Sequence, residues 1–361
     1  MTSSKRNSKV MVIGIARLWA GILNPAKGLK ERGLDTVYYY LERKKEFTRE
    51  GTGFDVATCP SSPLLATWKL GRLLKKHQPR HVDVYYHTGK WKSLVKQCWL
   101  LERRGIPMVS VCTGAELLNF EEHGLKQVEA MRTCFKLSSA IVIKELYMEE
   151  VIRKHKLAPL EKVHFCSNKI QVGPRPSFER ECKTILFLNL FKEFRRIDLL
   201  IDAMPAILKE VPDARLLLVG EGRYPEREAA LRKQIDDLGL QEHVEVEPYT
   251  NEPKPYFQRA SVFALPADIV FCNNALLEAM EQGVPPVVAA VDGSDRIVVE
   301  NESGLIVKQD ATANAEAIIG LLKDEAERRR LAEGARARIE SEFSEAARAE
   351  FLHSLYEKSV W

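Results

Sequence analysis

The 361-residue sequence lacks any long apolar run, since no stretch approaches the roughly 18 apolar residues that a membrane-spanning helix needs. Its first ten residues, MTSSKRNSKV, are polar and lack the apolar core of a secretory signal peptide. The seven cysteines are scattered, odd in number and never spaced Cys-x-x-Cys, which is typical of reduced thiols rather than of a disulfide framework or a zinc site. Together these absences predict a cytoplasmic protein.

The chain carries little net charge, but that charge is unevenly distributed. Residues 1–180 contain 32 Lys and Arg against 17 Asp and Glu, a balance of +15, and the remainder contains 22 against 33, which brings the total to +4. This asymmetry predicts two domains with different partners, the basic one near an anionic ligand or surface. Neither a helix-turn-helix pattern nor an aromatic-basic RNA signature is present, so a membrane lipid or an anionic acceptor is favoured over nucleic acid.

Apolar segments that read as strands alternate with amphipathic helices along the chain. The segment 10–15 is followed by a Gly-containing loop, a helix, a Gly turn and the strand 36–40, which is a βαβ unit. Further strands are predicted at 81–87, 108–112, 140–143, 183–190, 214–219, 243–247, 262–265 and 287–291. The alternation predicts doubly wound α/β domains, with Arg17 in the first loop beside the ligand crevice.

A helix predicted at 64–77 has one apolar face and one mixed face. The mixed face combines two apolar side chains with four cations: Leu65, Trp68, Lys69, Arg72, Lys75 and Lys76. Such a combination suits the interface of an anionic bilayer, where each cation adds about 1 kcal/mol. The alternative is an ordinary solvated helix face with two incidental apolar residues.

The most specific signal is the stretch 260–307. Its pattern predicts, in this order, a short apolar strand, a loop, a helix containing Leu-Leu-Glu-Ala-Met, a Gly-Val-Pro-Pro turn and a second apolar strand. This order, with Glu278 inside the helix, resembles the donor-binding signature of the large retaining GT-B glycosyltransferases (family 4, also called group 1). The resemblance covers the second half of the chain in its motifs and the first half in element order.

The resemblance implies the GT-B architecture, in which two doubly wound Rossmann-like α/β domains face each other across a cleft. An acceptor-side domain is then expected at 1–172, a donor-binding domain at 173–345, and at 346–361 a C-terminal helix that crosses back to the first domain. The Pro- and charge-rich stretch 171–180 (QVGPRPSFER) is the expected linker.

It also implies a reaction, the transfer of a sugar from a nucleotide-diphosphate sugar of UDP or GDP type to a glycan or lipid-linked acceptor. Retention of the anomeric configuration and a role in polysaccharide biosynthesis are expected with it. No further cofactor is expected, and the lack of an Asp-x-Asp motif predicts a metal-free site. The expected location is the cytoplasm, including peripheral attachment at the inner face of the membrane.

The resemblance, together with the positions of loop residues at the crevice and of amides at the helix start, gives a donor-binding set and a catalytic set. Glu278 is expected to bind the ribose hydroxyls, because a carboxylate accepts two hydrogen bonds from a vicinal diol. The amides at the start of its helix are placed for phosphate or sugar oxygens. The donor-binding set is Arg17, Gly222, Tyr249, Phe271, Cys272, Asn273, Asn274 and Glu278. The catalytic set is Glu116, Lys192 and Arg195, whose two cations would stabilise charge on the leaving group.

Three positions depart from the family pattern. Thr113 stands where the family has a histidine, Leu190 where it has a diphosphate-binding arginine, and Val270 where it has a glutamate that meets the donor sugar. The last two departures could each cost about 2–4 kcal/mol of transition-state stabilisation. A second hypothesis is therefore a catalytically weak GT-B homologue that acts as a binding or scaffolding subunit. A third is a GT-B enzyme of another kind, such as a sugar-nucleotide epimerase or a phosphorylase.

Overall fold

The computed structural model describes residues 9–14, 20–40, 54–86, 91–112, 117, 120–179, 182–270 and 273–360. Its contacts divide the chain into two compact units. The first unit comprises Met1–Asn168 and Glu345–Trp361, and the second comprises Lys169–Ser344. Each unit contains one parallel β-sheet with helices.

The sheet of the first unit has seven parallel strands in the order β3-β2-β1-β4-β5-β6-β7. The strands are β1 Lys9–Ile13, β2 Asp35–Tyr40, β3 Asp55–Thr58, β4 His81–Tyr85, β5 Met108–Val111, β6 Ala140–Ile143 and β7 Val163–Phe165. The helices are α1 Ala20–Glu31, α2 Pro63–His77, α3 Trp91–Arg103, α4 Leu125–Leu137, α5 Leu146–Lys154 and, from the end of the chain, α13 Glu345–Ser359.

The sheet of the second unit has six parallel strands in the order β10-β9-β8-β11-β12-β13. The strands are β8 Thr184–Leu188, β9 Arg215–Glu221, β10 Val244–Pro248, β11 Val262–Leu265, β12 Pro286–Ala289 and β13 Leu305–Val307. The helices are α6 Asp198–Glu210, α7 Pro225–Asp237, α8 Lys254–Gln258, α9 Asn274–Glu281, α10 Ser294–Ile297, α11 Ala311–Lys323 and α12 Glu325–Arg338.

The ten strands that the sequence predicts are present, and five of them are shorter than predicted. The central strands β4, β5, β11 and β12 are buried along their whole length. In β11 and β12 this burial explains the continuous apolar sequence, because helices cover both faces of a parallel sheet. The sequence pattern predicts one continuous helix at 121–137, and this prediction is wrong at its start. A 3₁₀ turn occupies Phe120–Glu122, and α4 begins only after Gly124, whose extended backbone interrupts the helix.

The two units divide at Asn168–Lys169, before the expected boundary at 172. The amide of Ile170 donates to the carbonyl of Phe343 at 2.9 Å, and Ile170 also forms a parallel bridge with Ser344. The segment after Asn168 is therefore already bound to the end of the second unit. At the far end, Ser344 still belongs to the second unit, and α13 belongs to the first.

Helix α13 packs into the first unit through a close contact and a buried polar group. A Cβ added at Gly28 of α1 would lie 2.7 Å from the Cβ of Ala349, so the two helices approach closely. The hydroxyl of Tyr356 donates to Asp83 at 2.8 Å, where both side chains are buried. The Tyr356 ring also stacks against His81 of β4, with the ring centres 4.0 Å apart. The apolar end of the chain thus completes the core of the first unit.

A buried ion pair joins three segments of the second unit. Arg336 of α12 contacts Glu281 at the end of α9 with an N–O distance of 2.8 Å, and their side chains are only 3% and 7% exposed. Arg336 also donates to the carbonyls of Glu281 and Gly173, both at 2.6 Å. The carboxylate of Glu281 in turn accepts the Gly173 amide at 2.8 Å. The pair therefore fixes the start of the unit and helix α9 to α12.

Candidate functional site

The second sheet changes its winding direction at β8. This strand pairs with β9 on one side and with β11 on the other, so the connections that follow β8 and β11 leave towards opposite directions of the sheet. Ligands of open α/β sheets bind at such a switch point, beyond the carboxyl ends of the strands. The loops after β8 and β11 are therefore the place to look for a site.

A pocket of about 360 Å³ lies at these carboxyl ends. It is formed by the loops after β8 and β10 and by the start of α9. Its lining residues are Leu188, Asn189, Leu190, Tyr249, Thr250, Asn251, Pro253, Asn273, Asn274, Ala275 and Glu278. Among these described residues, Glu278 alone is a carboxylic acid, and none is a lysine or an arginine.

The start of α9 forms one wall of the pocket. Asn273 caps the helix, and its side-chain oxygen accepts the amide of Ala275 at 2.9 Å. Asn274, the first residue of the helix, is exposed and lines the pocket. A helix start presents backbone amides and a partial positive charge, which together favour anionic groups.

Glu278 lies about one turn further into α9 and reaches the same pocket. Burial raises the pKa of its carboxyl to about 7, and the neighbouring Glu281 adds a smaller effect in the same direction. Burial has this effect because it removes water from the charged form. A polar ligand that donated hydrogen bonds to the carboxylate would replace that water. Perturbed acids in pockets are typical of functional sites.

The loop after β8 also lines the pocket, and its path depends on one glycine. The backbone amide of Asn189 donates a hydrogen bond to the carbonyl of Val219. The side-chain oxygen of Asn189 accepts a hydrogen bond from the amide of Leu190 at 2.9 Å. A Cβ at Gly220 would lie 1.9 Å from the carbonyl oxygen of Asn189, so only glycine permits this approach of β9. Leu190 thus contributes an apolar side chain where the family pattern has a cation.

The two cations of the expected catalytic set lie near this pocket in sequence but do not line it. Arg195 is 9% exposed, and its guanidinium lies 3.5 Å from the carbonyl of Ile269 and 4.9 Å from the centre of the Phe194 ring. Lys192 is half-buried, with its amine 5.6 Å from the centre of the same ring. Arg195 therefore contacts the loop that leads towards α9.

Gly222 and Tyr249 have different surroundings. The Glu228 carboxylate accepts the amides of Gly222, Arg223 and Tyr224 at 2.8, 3.1 and 2.9 Å, so the Gly222 amide already has an anionic partner. Tyr249 lines the pocket, is 46% exposed, and has the Arg223 guanidinium 5.0 Å from its ring centre. An exposed aromatic ring at a pocket rim offers a flat surface for stacking.

Several nominated residues lie outside the described part of the chain: Arg17, Glu116, Phe271 and Cys272. Thr113 lies outside it as well. Of the remaining donor-binding residues, Tyr249, Asn273, Asn274 and Glu278 come together in one pocket. Val270 is buried, 4% exposed, and packs in the core of the second unit.

Sequence reasoning missed the polar rim of the pocket. Thr250 and Asn251, with Pro253, follow β10 and line the pocket beside Tyr249. The signal that could have identified them is their place directly after a predicted strand of a parallel sheet, since such loops meet at the ligand-binding edge.

The mixed face of α2 lies on the surface of the first unit. Leu64, Leu65 and Trp68 are 69%, 56% and 60% exposed. The Arg72 guanidinium lies 5.1 Å from the Trp68 ring centre, and the Lys69 amine donates to the carbonyl of Thr58. Lys75 and Lys76 are exposed in the last turn. Within the described residues, no helix has the length and apolar character that crossing a membrane requires.

Comparison with known proteins places these features in a family. Residues 174–338 match the family described as Glycosyl transferases group 1. A GDP-mannose-dependent monoacylated α-(1-6)-phosphatidylinositol monomannoside mannosyltransferase of Corynebacterium glutamicum is 33% identical over 159 residues, 41% of this chain and 40% of that protein. The N-acetyl-α-D-glucosaminyl L-malate synthase of Bacillus anthracis is 27% identical over 198 residues, 55% and 50% of the two chains. The match thus spans half or less of these relatives' length.

Solved structures match over nearly the whole chain. HepE of Anabaena in complex with UDP has a TM-score of 0.77 at 15% identity, covering 97% of this chain and 99% of that one. The sucrose-phosphate synthase of Thermosynechococcus elongatus has a TM-score of 0.72 at 16% identity, covering 98% and 99%. At such identities the likeness establishes the fold, and it confirms the expected GT-B architecture. Residues 174–338 therefore form a domain of the group 1 glycosyltransferase family, within a chain of the two-domain α/β GT-B fold.

Proposed function

We propose that this protein transfers a sugar from a nucleotide-diphosphate sugar, with retention of configuration, to a glycan or lipid-linked acceptor. The observation that carries the proposal is the position of Glu278, a carboxyl with a raised pKa beside a helix start, in a pocket at the switch point of the second sheet. The group 1 match covers this region, and relatives and structural neighbours that use or bind nucleotide sugars agree with it.

The pocket offers complementary groups for each part of a nucleotide sugar. The carboxylate of Glu278 can accept both hydroxyls of a ribose, and the Tyr249 ring can stack on a base. The amides at the start of α9 favour the diphosphate. Arg195 and Lys192 would reach the phosphates only after a movement of the loop after β8, because neither lines the pocket in this conformation. Their role would be to stabilise charge on the departing diphosphate.

A specific observation also favours the second hypothesis, a binding or scaffolding subunit with weak catalysis. The described lining contains no lysine or arginine, and Leu190 occupies the position of the diphosphate-binding arginine. Stabilisation of a departing diphosphate by fixed positive groups is a large term in catalysis. Such a protein would keep the fold and bind a partner while transferring sugar slowly or not at all.

The test is thermal unfolding of the purified protein with UDP, GDP, ADP, TDP and their common sugar conjugates. A nucleotide present at 100 times its dissociation constant is expected to add about 2.7 kcal/mol to the stability of the folded state. Stabilisation by one nucleotide family identifies the base and supports a donor site. Stabilisation together with sugar transfer to an acceptor supports the transferase. The absence of stabilisation across the panel contradicts the transferase and, alongside a tight protein partner, supports the scaffold.

We further propose that the exposed face of α2 attaches the protein to the inner face of an anionic membrane. Changing Lys69, Arg72, Lys75 and Lys76 to Gln is expected to weaken binding to phosphatidylglycerol vesicles at least tenfold, because each cation near such a surface contributes about 1 kcal/mol. Co-sedimentation measures the change. A control with the same loss of charge changes the exposed Lys126, Lys209, Lys233 and Lys358. Equal binding of the two variants would identify α2 as a solvated face.

A further inference from the structure

A second concave surface lies in the first unit, where α4 and α5 end. It has a volume of about 450 Å³, and the name basic pocket is used for it here. Five of its nine lining residues are cations: Arg132, Lys136, Arg153, Lys156 and Lys162. The other four are the apolar residues Leu157, Ala158, Pro159 and Leu160. No carboxylate belongs to this described lining, so the charged side chains that line the pocket are all positive.

Two of the five cations are held in place by protein groups. The Lys162 amine donates to the carbonyl of Ser138 at 2.9 Å and to that of Lys136 at 3.3 Å, which satisfies the end of α4. Arg132 forms an ion pair with Glu129 at 2.7 Å, and both side chains are largely exposed. These two cations therefore already have partners within the protein.

The other three cations, Lys136, Arg153 and Lys156, are exposed. Their side chains form neither an ion pair nor a hydrogen bond with the described residues. Like charges gathered in one concavity repel each other, and an anion bound among them would relieve that repulsion. Three available cations match an anion with more than one negative charge.

The backbone at Lys156 adds an independent observation. The residue follows α5 in the left-handed conformation, with φ of 47°, a position that glycine normally occupies at a helix end. The amide of Leu157 donates to the carbonyl of Ile152, which completes the helix-ending turn. A lysine here costs conformational strain that a glycine would avoid. In return the turn places a third cation on the rim of the pocket.

The basic pocket is separate from the edge of the first sheet where ligands of this fold class bind. Helices α4 and α5 end next to the starts of β6 and β7, so the pocket lies at the amino ends of the parallel strands. Sites of open α/β sheets lie at the opposite, carboxyl edge. The positive charge of the first half of the chain is therefore partly concentrated where no donor or acceptor is expected.

We propose that the basic pocket is a binding site for a phosphate-bearing anion with two or more negative charges. Lysine and arginine side chains are the usual partners of phosphate oxygens, and several phosphates can be bound at once by cations spread around one concavity. Two sources share this chemistry: a soluble oligophosphate and the headgroups of an anionic lipid. The competing explanation is that the cations only neutralise the carbonyl ends of α4 and α5.

The test compares the full chain with the triple variant Lys136→Gln, Arg153→Gln and Lys156→Gly. The glycine relieves the left-handed strain at position 156, so the variant is expected to fold. Calorimetric titration with inorganic tripolyphosphate is expected to show binding by the natural protein and binding about 100-fold weaker by the variant. Raising the salt concentration should weaken binding by the natural protein.

A control variant loses the same charge at exposed positions elsewhere: Lys126→Gln, Lys209→Gln and Lys358→Gln. It is expected to bind tripolyphosphate like the natural protein. Co-sedimentation with phosphatidylglycerol vesicles forms the lipid arm, and both variants retain the α2 face. If the triple variant loses tripolyphosphate binding alone, the source is soluble, and if it loses vesicle binding, the source is lipid. No binding in either arm, or equal loss in both variants, overturns the proposal.

Discussion

Replacing Arg336 with leucine is expected to lower the free energy of unfolding by about 3–5 kcal/mol, because the change leaves the Glu281 carboxylate buried without its cation. The two side chains are 3% and 7% exposed, so water cannot take the place of the lost partner. The variant also removes the donors for the carbonyls of Glu281 and Gly173. Urea denaturation followed by far-UV circular dichroism measures the change.

The matched control is Arg329→Leu on the same helix. Arg329 is 54% exposed and pairs with Glu333 one turn away, and such surface pairs contribute about 0–1 kcal/mol. The double variant Glu281→Leu with Arg336→Leu should regain part of the stability, because it removes the buried charge together with its partner. If Arg336→Leu proves no more destabilising than Arg329→Leu, the buried pair does not fix α9.

Replacing Glu278 with glutamine is expected to weaken nucleotide binding by roughly 10- to 100-fold. A hydrogen bond to a charged group contributes about 1.5–3 kcal/mol, and the neutral amide loses this charge and one of the two acceptor oxygens. The measurement is titration calorimetry with the nucleotide that stabilises the protein most. Glu316→Gln, at an exposed position of α11, is the control and should bind normally. Unchanged affinity of Glu278→Gln would exclude this carboxyl from the donor site.

The variant Glu278→Gln should also remove the loss of stability that ionisation of Glu278 causes as the pH rises. The folded-state pKa of Glu278 is about 7 against an ordinary value of 4.5, so the folded protein holds a proton that the unfolded chain has released between these pH values. Stability therefore falls as the pH rises from about 4.5 to about 7. Glutamine cannot ionise, and Glu278→Gln is expected to be more stable than the natural protein by about 3 kcal/mol at pH 8 and equally stable at pH 4.

Unfolding curves at pH 4, 6 and 8 check this expectation. Nucleotide affinity of the natural protein should rise over the same range, because the ionised carboxylate is the better acceptor for ribose hydroxyls. A parallel decline of both proteins with pH would mean that other groups cause the loss of stability. Together the two readouts distinguish a carboxyl held for ligand binding from one buried for packing alone.

Much of the fold could be predicted from the sequence, because hydrophobic patterns and turn residues are local. The strand 262–265 occurs where it is predicted, and the pair Asn273-Asn274 predicts a helix start near the place where α9 begins, since Gly, Pro and Asn mark the ends of these elements. Element ends were less certain, as at Gly124, where the extended backbone interrupts a helical pattern. Glu278 was identified from its flanking motif.

The rest of the site depends on contacts between residues far apart in the chain. Arg195 and Lys192 are expected at the donor diphosphate, yet neither lines the pocket, because the packing of the loop after β8 directs them elsewhere. Gly222 was expected to bind the donor, and its amide is bonded to Glu228. Short motifs specify which residues are near a site, whereas side-chain direction follows from tertiary packing.

By itself, the sequence determined the α/β class, the order of strands and helices, the family of the second domain and the uneven charge. These properties depend on periodicity, composition and motif spacing, which are all local features of the sequence. Only the tertiary structure decided that Glu278 is buried enough to raise its pKa, that Arg336 and Glu281 meet in the core, and that five cations from α4, α5 and the following loop surround one basic pocket. Burial and electrostatic coupling act through space, and they arise only when distant segments are packed together.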